Sequence, residues 1–498
     1  MKFFYLIFGV FLLLGACSDD KDEVVYTPLT EDASLTLSAD KVMLACGGST
    51  EKVKVETNQE IWDAVPSADW LVVTKGNDFL TLSAAKNETG KQLTATVLVT
   101  AGTEENVDTA TITVIQNDNS LVLEYTVPAR SRVMLPICGQ VKCSIDWGDG
   151  QTEEVDTKID NLTVAPPNHT YTSAGTYEVR ISGTVPELYS MIGFSDEQRV
   201  YLSRIKQWGK TGLTSLRYAF YRCINIESLP SDTDESFAGV TSFEYAFKGC
   251  TGLKEIGEGF FANAVNAETF RSCFDQCFSL TSLPNRLFAN CRKATAFVGT
   301  FWECPIVELP ADLFEDCIAA DDFSDCFVNC MALRIIPEDL FANCTKATNF
   351  SYCFRNTQSL LNIPSGLFRN CTLAEKMIGV FTYCYSLTSI PEELFRNCPE
   401  VSSFAYCFTS CTSLSSIPAG LFDNNRKAGS FKGAFRDCIS LAGESPYTEI
   451  DGKKIHLYER QSYGGEFITP DDYNSCFRNC KGLSDYKTMQ AGFSGWVN

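Results

Sequence analysis

The chain has 498 residues, and its 62 acidic residues outnumber its 41 lysines and arginines, which gives a formal net charge of −21. This acidic balance argues against nucleic acid as a partner, because phosphate binding needs clustered lysine and arginine. His169 and His456 are the sequence's two histidines, and no Cys or His pairs stand at zinc-finger spacing. The length suits two small domains and a longer repeat region.

The first segment predicts export. Met1-Lys2 precedes an apolar run from Phe3 to Leu14, which is a secretion signal and is too short to span a membrane. Leu14-Gly15-Ala16-Cys17 resembles a bacterial lipobox, which implies cleavage before Cys17 and lipid attachment to it. Residues 1–17 are therefore predicted as a lipoprotein signal peptide.

Residues 18–32 are predicted as an acidic linker. The segment Ser18-Asp19-Asp20-Lys21-Asp22-Glu23 resembles the acidic tether by which Bacteroidetes lipoproteins are exported to the outer face of the cell. The resemblance implies an outer-membrane lipoprotein exposed on the cell surface. No other apolar stretch is long enough to cross a membrane, so contact with lipid is predicted through the anchor alone.

Residues 33–118 alternate apolar and polar positions in short runs, such as Val53-Lys54-Val55, with breaks such as Gly47-Gly48. This period of two predicts an immunoglobulin-like antiparallel β-sandwich. The region resembles the BACON domain through LTLSADKVMLACGGSTEKVKV, Trp62, Asp69-Trp70-Leu71, Asn87 and Thr113-Val114-Ile115-Gln116. The resemblance implies carbohydrate or mucin binding, or a spacer role. We expect Trp62 and Trp70 to pack in the core and not to form a sugar platform.

Residues 119–184 predict a second antiparallel sandwich. They resemble a PKD domain through Ile145-Asp146-Trp147-Gly148-Asp149-Gly150, Asn168-His169-Thr170-Tyr171 and Gly175-Thr176-Tyr177-Glu178-Val179. We expect His169 to be a structural hydrogen-bonding residue, because no Ser, Cys or acidic partner accompanies it in a nucleophile motif. Asp146 and Asp149 could hold calcium, but they lack the alternating ligands of a calcium loop, so no metal is predicted.

After a connector over residues 185–212, residues 213–498 repeat with a fixed period. Ten phenylalanines mark the repeat, with gaps of 27 residues except for one gap of 26 and a last gap of 42: Phe220, Phe247, Phe274, Phe301, Phe327, Phe354, Phe381, Phe408, Phe435 and Phe477. Such a period is typical of repeat proteins, in which each unit packs only on its neighbours. The last gap predicts an insertion near 443–472 before a terminal cap.

The coil from Tyr383 to Phe408 shows the pattern most completely. Ser386-Leu387-Thr388-Ser389-Ile390 predicts a short strand, and Pro391-Glu392-Glu393 suits the start of a helix that ends at Asn397-Cys398. Further along the coil, spacings of three, four and three residues separate Val401, Phe404, Phe408 and Cys411. These spacings predict a second helix with an apolar stripe. Each coil is therefore predicted as one short strand and two short helices.

Twenty-three cysteines in an exported chain first suggest disulfides. Those of the repeat region fall into three columns at fixed distances from the phenylalanines, and alanine, threonine or valine replaces them in some coils. Repeat positions at which these residues can replace cysteine constrain the size of the side chain and not a bonding partner. Most of these cysteines are therefore predicted to be buried thiols. Cys138 and Cys143 are the best disulfide candidates, because they could flank a tight hairpin at Gly139.

Motifs such as AFKGCTGL, CFSLTSLP and CYSLTSIP resemble the BspA-type branch of leucine-rich repeats in Bacteroidetes surface proteins, although the period is longer than is usual in that branch. The resemblance covers residues 213–498. The predicted fold class is multidomain, with two immunoglobulin-like antiparallel β-sandwiches followed by an α/β leucine-rich-repeat-like solenoid of about ten coils of 27 residues.

The leading functional hypothesis is a non-catalytic, lipid-anchored surface protein that binds a host or neighbouring-cell protein or glycan through its repeats. In leucine-rich repeats the strand face usually binds, and the residues between the Leu and Ile columns vary here from coil to coil, although solvent exposure alone would also permit this. The candidate partner-binding positions are Glu227, Lys254, Glu255, Thr281, Arg334, Asn362, Thr388 and Ser415.

Two alternatives belong to other classes. The first is glycan binding through residues 33–118, with the repeats as a scaffold. The second is a polysaccharide-degrading hydrolase, which would need two carboxylates at a fixed separation. Asp312, Asp339 and Glu393 recur with the repeat, so we interpret them as solvated helix ends. No catalytic residue and no cofactor is predicted, and the chain is expected to be a monomer.

Overall fold

The computed structural model describes residues 32–498, apart from residues 88, 90, 104, 161, 192 and 464. The predicted signal peptide, with its lipidation site Cys17, and nearly all of the predicted linker lie outside the described residues. The chain divides into two compact units. The first contains the residues up to Lys41 with Lys52–Leu82 and Ala95–Thr113, and the second contains Val42–Glu51, Ser83–Thr94 and Val114–Asn498.

The alternating runs between residues 35 and 116 form eight strands. They are β1 (Leu35–Leu37), β2 (Lys41–Leu44), β3 (Ser49–Thr57), β4 (Trp62–Pro66), β5 (Leu71–Lys75), β6 (Phe79–Ala84), β7 (Leu93–Thr103) and β8 (Asn106–Gln116). Two four-stranded sheets result, in the orders β1-β3-β6-β5 and β2-β8-β7-β4, and the pairs β1–β3 and β4–β7 are antiparallel. Two such sheets are what a sandwich requires.

The next segment forms eight more strands and one helix. They are β9 (Leu121–Val127), β10 (Ser131–Met134), β11 (Ile137–Asp146), β12 (Thr152–Ile159), β13 (Asn168–Tyr171), β14 (Gly175–Thr184), β15 (Glu187–Leu188), α1 (Asp196–Tyr201) and β16 (Leu202–Gln207). The main sheet has the order β12-β11-β14-β9-β16, with β15 beside β11, and β10 pairs with β13. Ser195 begins α1, because its hydroxyl accepts the N–H of Gln198 in a capping box.

The proposed disulfide between Cys138 and Cys143 is wrong. Both are free cysteines on the single strand β11, and Gly139 pairs with Ile159 within the sheet and forms no turn. Five residues of extended chain separate the two Cα atoms by about 16 Å. A disulfide needs Cα atoms within about 7 Å of each other.

From residue 213 onward the coils pack in register, and we call residues 213–498 the repeat stack. All ten marker phenylalanines are fully buried. The ring centroids of successive markers are 5.4–5.7 Å apart. One position of every coil forms parallel backbone bridges with its neighbours, at Ser215, Ser242, Thr269, Ala296, Asp322, Asn349, Lys376, Ser403, Ser430 and Asp472.

The prediction of an α/β leucine-rich-repeat solenoid is wrong. Residues 213–446 are all described and contain no α-helix or 3₁₀-helix, and their named strands are limited to β17 (Ser228–Leu229) and β18 (Glu255–Ile256). Consecutive turns occupy the segments predicted as helices. After Pro391, for example, Leu394 N–H donates to the Pro391 carbonyl at 3.2 Å and Arg396 N–H to the Glu393 carbonyl at 3.1 Å, each spanning three residues.

The second predicted helix fails for a backbone reason. Tyr406 and Ser410 have φ values of 59° and 60°, which interrupt a right-handed helix. Their N–H groups point to the next coil, where Tyr406 donates to the Lys432 carbonyl and Ser410 to the Arg436 carbonyl, each at 2.7 Å. The helix-like spacing of Val401, Phe404, Phe408 and Cys411 therefore arises from alternating right- and left-handed turns.

The last part of the stack holds an excursion and a cap. The excursion contains β19 (Tyr447–Ile450), the antiparallel β20 (Lys453–His456) and a 3₁₀-helix (Leu457–Ser462). The cap contains α2 (Tyr486–Gly492) and a 3₁₀-helix (Ser494–Trp496). Among the described residues, none of the helices combines the length and the apolar character needed to cross a membrane.

Candidate functional site

All eight residues predicted for the partner-binding face are exposed, and they lie where adjacent coils exchange backbone hydrogen bonds. Lys254 N–H donates to the Glu227 carbonyl at 2.8 Å, and Ser415 N–H donates to the Thr388 carbonyl at 3.2 Å. The buried Leu and Ile columns on either side of these residues fix their outward direction. We call the exposed residues between these two columns the ladder face.

Charge on the ladder face is partly neutralised within the face itself. Lys254 Nζ lies 3.0 Å from Glu227 Oε2, and both side chains are more than half exposed. Exposed pairs of this kind contribute little to stability. Thr281, Asn362, Thr388 and Ser415 add short polar side chains, so the face changes in character along the stack.

Exposed apolar side chains accompany the ladder face: Ile335 and Leu361 lie within it, and Phe278, Met331 and Tyr385, which the sequence did not single out, lie just before its Leu column. The exposed fractions are 53% for Phe278, 48% for Met331, 55% for Ile335, 51% for Leu361 and 38% for Tyr385. We call these five residues the apolar row. Phe278, Met331 and Tyr385 each stand four residues after a marker phenylalanine, and Ile335 and Leu361 are direct neighbours of two predicted face residues. Aligning the coils at that position would have revealed the row.

A second surface feature is a groove on the side of the marker phenylalanines. Its cavity volume is about 250 Å³, and it is lined by Tyr352, Arg355, Thr382, Tyr383, Tyr406, Thr409, Ser410, Arg436 and Asp437. We call it the tyrosine groove. Four successive coils contribute to it, so its shape depends on their register.

The tyrosines of the groove are positioned by the backbone. Tyr352, Tyr383 and Tyr406 all have positive φ values of 58–63°. Gly379 and Gly433 stand one coil later, and a Cβ on Gly433 would lie 2.9 Å from Cδ1 of Tyr406, while a Cβ on Gly379 would clash with the ring of Tyr352. Glycine at these two positions therefore lets the rings lie against the neighbouring coil.

The groove contains a cation without a partner. The guanidinium of Arg355 lies 5.6 Å from the ring centroid of Tyr352 and 5.7 Å from that of Tyr383. It forms no hydrogen bond or ion pair with any described side chain. Arg436, in contrast, donates from Nε to Asp437 at 3.2 Å. The sequence reasoning missed this groove because its tyrosines stand on both sides of the markers, two residues before or two residues after.

The cysteines of the repeat stack are free, buried thiols, as predicted. One column makes a bond that size selection does not explain. Its thiols donate to the carbonyl of the marker phenylalanine in the preceding coil, for example from Cys304 to Phe274 at 3.0 Å and from Cys411 to Phe381 at 3.2 Å. Thr300, in the neighbouring column, donates in the same way to the Phe270 carbonyl at 3.1 Å. Only the column three residues after the markers, which holds cysteine or threonine in every coil, therefore selects for a small donor.

Burial also controls thiol chemistry. It raises the pKa of the Cys344 and Cys398 thiols to about 12 and that of Cys411 well above its usual value. Such thiols are poor nucleophiles and poor ligands. Within the described part of the chain, no cluster of three or more His, Cys, Asp or Glu side chains is arranged to hold a metal ion.

His169 has the structural role that was predicted. Its Nε2 hydrogen-bonds to Asp149 Oδ2 at 2.8 Å, and its ring stacks on Trp147 with centroids 5.0 Å apart. The hydrogen bond to His169 helps to hold the pKa of Asp149 below its usual value, against the opposing effect of burial. Asp146 accepts the N–H of Gly148 at 2.9 Å. Both aspartates that could have held calcium therefore stabilise the loop.

Trp62 is buried, with 6% of its surface exposed, as expected of a core residue. Trp70 was also expected in the core but is only half-buried, as is Phe79. None of the aromatic side chains described between residues 32 and 116 is fully exposed. The described residues of this region therefore offer no open aromatic platform of the kind on which a sugar ring usually packs.

The recurring carboxylates do not stand at helix ends, because their segments are turns. Asp312 accepts the N–H of Arg286 at 3.0 Å, Glu393 lies 2.6 Å from Nε of Arg396, and Asp339 pairs with Arg369. An open cavity of about 490 Å³ lies beside Asp312 and Asp339. Its carboxylates are engaged by cations and backbone donors.

Comparisons with protein-family models, with curated proteins and with solved structures found no match for this chain. The function is therefore inferred below from the chain's own side chains.

Proposed function

We propose that this chain is a non-catalytic recognition protein of the cell surface, anchored by a lipid at Cys17. Its repeat stack binds a protein partner through the ladder face and the apolar row. The BACON-like and PKD-like segments act as spacers. No nucleic acid takes part, and the membrane is contacted through the anchor alone.

The observation that carries the proposal is the apolar row, of which Ile335 and Leu361 lie within the ladder face. Ile335 and Leu361 expose 55% and 51% of their surface although the coils bury their other large apolar columns. Exposed apolar side chains grouped on one face and rimmed by polar residues mark protein-binding surfaces. A fixed frame with side chains that differ from coil to coil supplies the specificity.

The two alternatives have less support. Glycan binding through residues 33–118 would draw on exposed aromatic rings, and the rings described there are buried or half-buried. Hydrolysis would require a pair of carboxylates free to act on a substrate, and Asp312, Asp339 and Glu393 are engaged by backbone or arginine partners.

Binding of the full chain to a panel of purified extracellular glycoproteins, each with and without its glycans, tests the proposal. The informative variant is Ile335→Asp with Leu361→Asp, which places charge on two exposed positions. We expect the dissociation constant for a bound panel protein to rise at least tenfold, because an apolar contact is replaced by a desolvated carboxylate. Enzymatic removal of the glycans should leave binding intact.

The matched control is Ile61→Asp with Val65→Asp, whose side chains are 65% and 58% exposed and lie in the first unit. Binding by this variant should equal that of the unaltered chain. Loss of binding in the control alone would instead support recognition through residues 33–118, and dependence on the glycans would contradict a protein partner. A chain that binds none of the panel would contradict the proposal.

The proposed location on the outer face of the cell can be tested separately. Protease added to intact cells should remove the chain, because a surface lipoprotein is accessible from outside. Degradation that begins only after the outer membrane is permeabilised would place the chain on the inner face and contradict this part of the proposal.

A further inference from the structure

We propose that the tyrosine groove is a second binding site, which takes a sugar ring carrying an anionic substituent. This site is separate from the ladder face, and the proposed protein partner does not depend on it. Carboxylate and sulfate offer an arginine the same pair of acceptor oxygens, so either could be the substituent.

The dimensions of the groove suit one ring. Its volume of about 250 Å³ is below the range of roughly 300–1,000 Å³ that is usual for drug-sized ligands. The groove opens on the surface of the stack, so a terminal sugar could enter while the rest of a chain stays in solvent.

Its aromatic walls suit the C–H face of a sugar. Tyr352 and Tyr406 lie over Gly379 and Gly433, which fixes one side of each ring against the next coil. The faces of aromatic rings carry negative charge and attract polarised hydrogens. Ser410 adds a hydroxyl, and Thr382 and Thr409 hold the walls because their hydroxyls donate to the carbonyls of Tyr406 and Gly433, each at 2.5 Å.

Arg355 provides the preference for an anion. Lys248 occupies the same position four coils earlier in the stack, and there the cation is neutralised by Asp275 of the next coil at 2.5 Å. The corresponding residue of the coil after Arg355 is Thr382, which carries no charge. Asp325 of the preceding coil is affected by the charge of Arg355 but forms no ion pair with it. The Arg355 guanidinium therefore lies near the rings of Tyr352 and Tyr383, and its N–H groups remain available to bind an anion.

The net charge of −21 restricts the kind of anion. A polyphosphate strand would be repelled by the acidic surface, whereas a single anionic group needs one local cation. The combination of ring faces, hydroxyls and one unpaired arginine therefore favours an acidic sugar over a nucleic acid.

Calorimetric titration of the full chain with two matched pairs of sugars tests the inference. One pair is a galacturonic acid trisaccharide and its methyl ester, and the other is a sulfated galactose trisaccharide and its unsulfated parent. We expect at least one anionic sugar to bind ten times more tightly than its neutral partner. Arg355→Gln should abolish that preference, because it removes the charge and keeps the polar side chain.

Arg217→Gln is the matched control, because Arg217 also lies over a tyrosine, 5.2 Å from the Tyr218 ring, but is paired with Glu244 at 2.8 Å. This variant should keep the preference. Equal binding of charged and neutral sugars, a preference that survives Arg355→Gln, or no binding of any of the four sugars would overturn the inference. Binding to panel proteins through the apolar row could persist in each of those cases.

Discussion

A thiol that donates to a buried carbonyl explains one cysteine column, three residues after the markers, better than size alone. The Phe381 carbonyl accepts a hydrogen bond from the Cys411 thiol at 3.2 Å, and the Phe274 carbonyl accepts one from the Cys304 thiol at 3.0 Å. A buried carbonyl without a donor is costly. The alanine and valine replacements that indicated burial occur in the other two columns, whereas this column holds only cysteine and threonine, both of which can donate. The acceptor could not be predicted, because hydrogen-bond direction depends on the turn geometry.

Replacing Cys411 by alanine should destabilise the chain more than replacing Cys407 does. Both thiols are fully buried, but Cys411 donates to the Phe381 carbonyl, whereas no carbonyl in the described part of the chain accepts the Cys407 thiol. The expected difference is about 1 kcal/mol, the net value of one hydrogen bond. Thermal unfolding of the two full-length variants measures it, and equal midpoints would show that the thiol acts through its volume alone.

Stability should fall at alkaline pH. Burial raises the pKa of Cys344 and Cys398 to about 12, from an ordinary value of 9.0. The pKa of each thiol is higher in the folded chain than in the unfolded chain. The stability that the neutral, buried thiol contributes is therefore fully present below about pH 9 and is lost as the pH rises towards 12. Each thiol then lowers the free energy of unfolding by about 1.4 kcal/mol per pH unit.

Thermal midpoints of the full chain between pH 8 and pH 11 test this effect. The double variant Cys344→Ala with Cys398→Ala should lose stability less steeply above pH 9 than the unaltered chain. Parallel curves would show that other groups, such as lysines and tyrosines, account for the loss.

At the scale of the element, each coil is a series of turns whose apolar residues have the spacing expected of a helix. Val401, Phe404, Phe408 and Cys411 follow helical spacing, yet Tyr406 and Ser410 between them have positive φ. Burial of the markers and exposure of the ladder face follow from the period and could be predicted. The local conformation could not, because steps of three and four residues fit either a helix or alternating turns.

The positive φ values give a direct test of the turn geometry. Ser410→Val should destabilise the chain by about 1–2 kcal/mol, because a β-branched residue is strained at the φ of 60° that Ser410 adopts. Ser413→Val is the control, since Ser413 is exposed and its φ is not positive. Equal thermal midpoints for the two variants would favour the helical coil that the sequence suggested.

At the scale of the whole stack, the backbone ladder around the marker phenylalanines has a direction and both its ends are covered. There each coil donates N–H groups to the next, whereas on the ladder face it donates to the preceding coil. The last coil donates to the cap, from Ser475 to Gly495 at 2.9 Å and from Phe477 to Trp496 at 2.7 Å. At the other end Ser190 N–H donates to the Tyr218 carbonyl at 3.0 Å. Covered edges prevent the pairing of one stack with another.

Truncation after Phe493 should therefore lower the thermal midpoint and promote self-association that increases with concentration. The deletion removes the carbonyl acceptors at residues 495 and 496 and the Trp496 ring, which stacks on Tyr473 with centroids 4.8 Å apart. Light scattering and thermal unfolding measure the two effects. Lys487→Ala, an exposed change in the same cap, should alter neither, and a truncated chain that stays monomeric at the original midpoint would contradict the role of the cap.

The central claim is that recognition belongs to the repeat stack. Hydroxyl-radical footprinting of the full chain, free and bound to a panel protein, tests it most directly because exposed apolar side chains are good reporters. We expect reduced labelling of Phe278, Met331, Ile335, Leu361 and Tyr385, with Ile61 and Val65 unchanged. Protection confined to Ile61, Val65 and their neighbours, with the apolar row fully labelled, would contradict it.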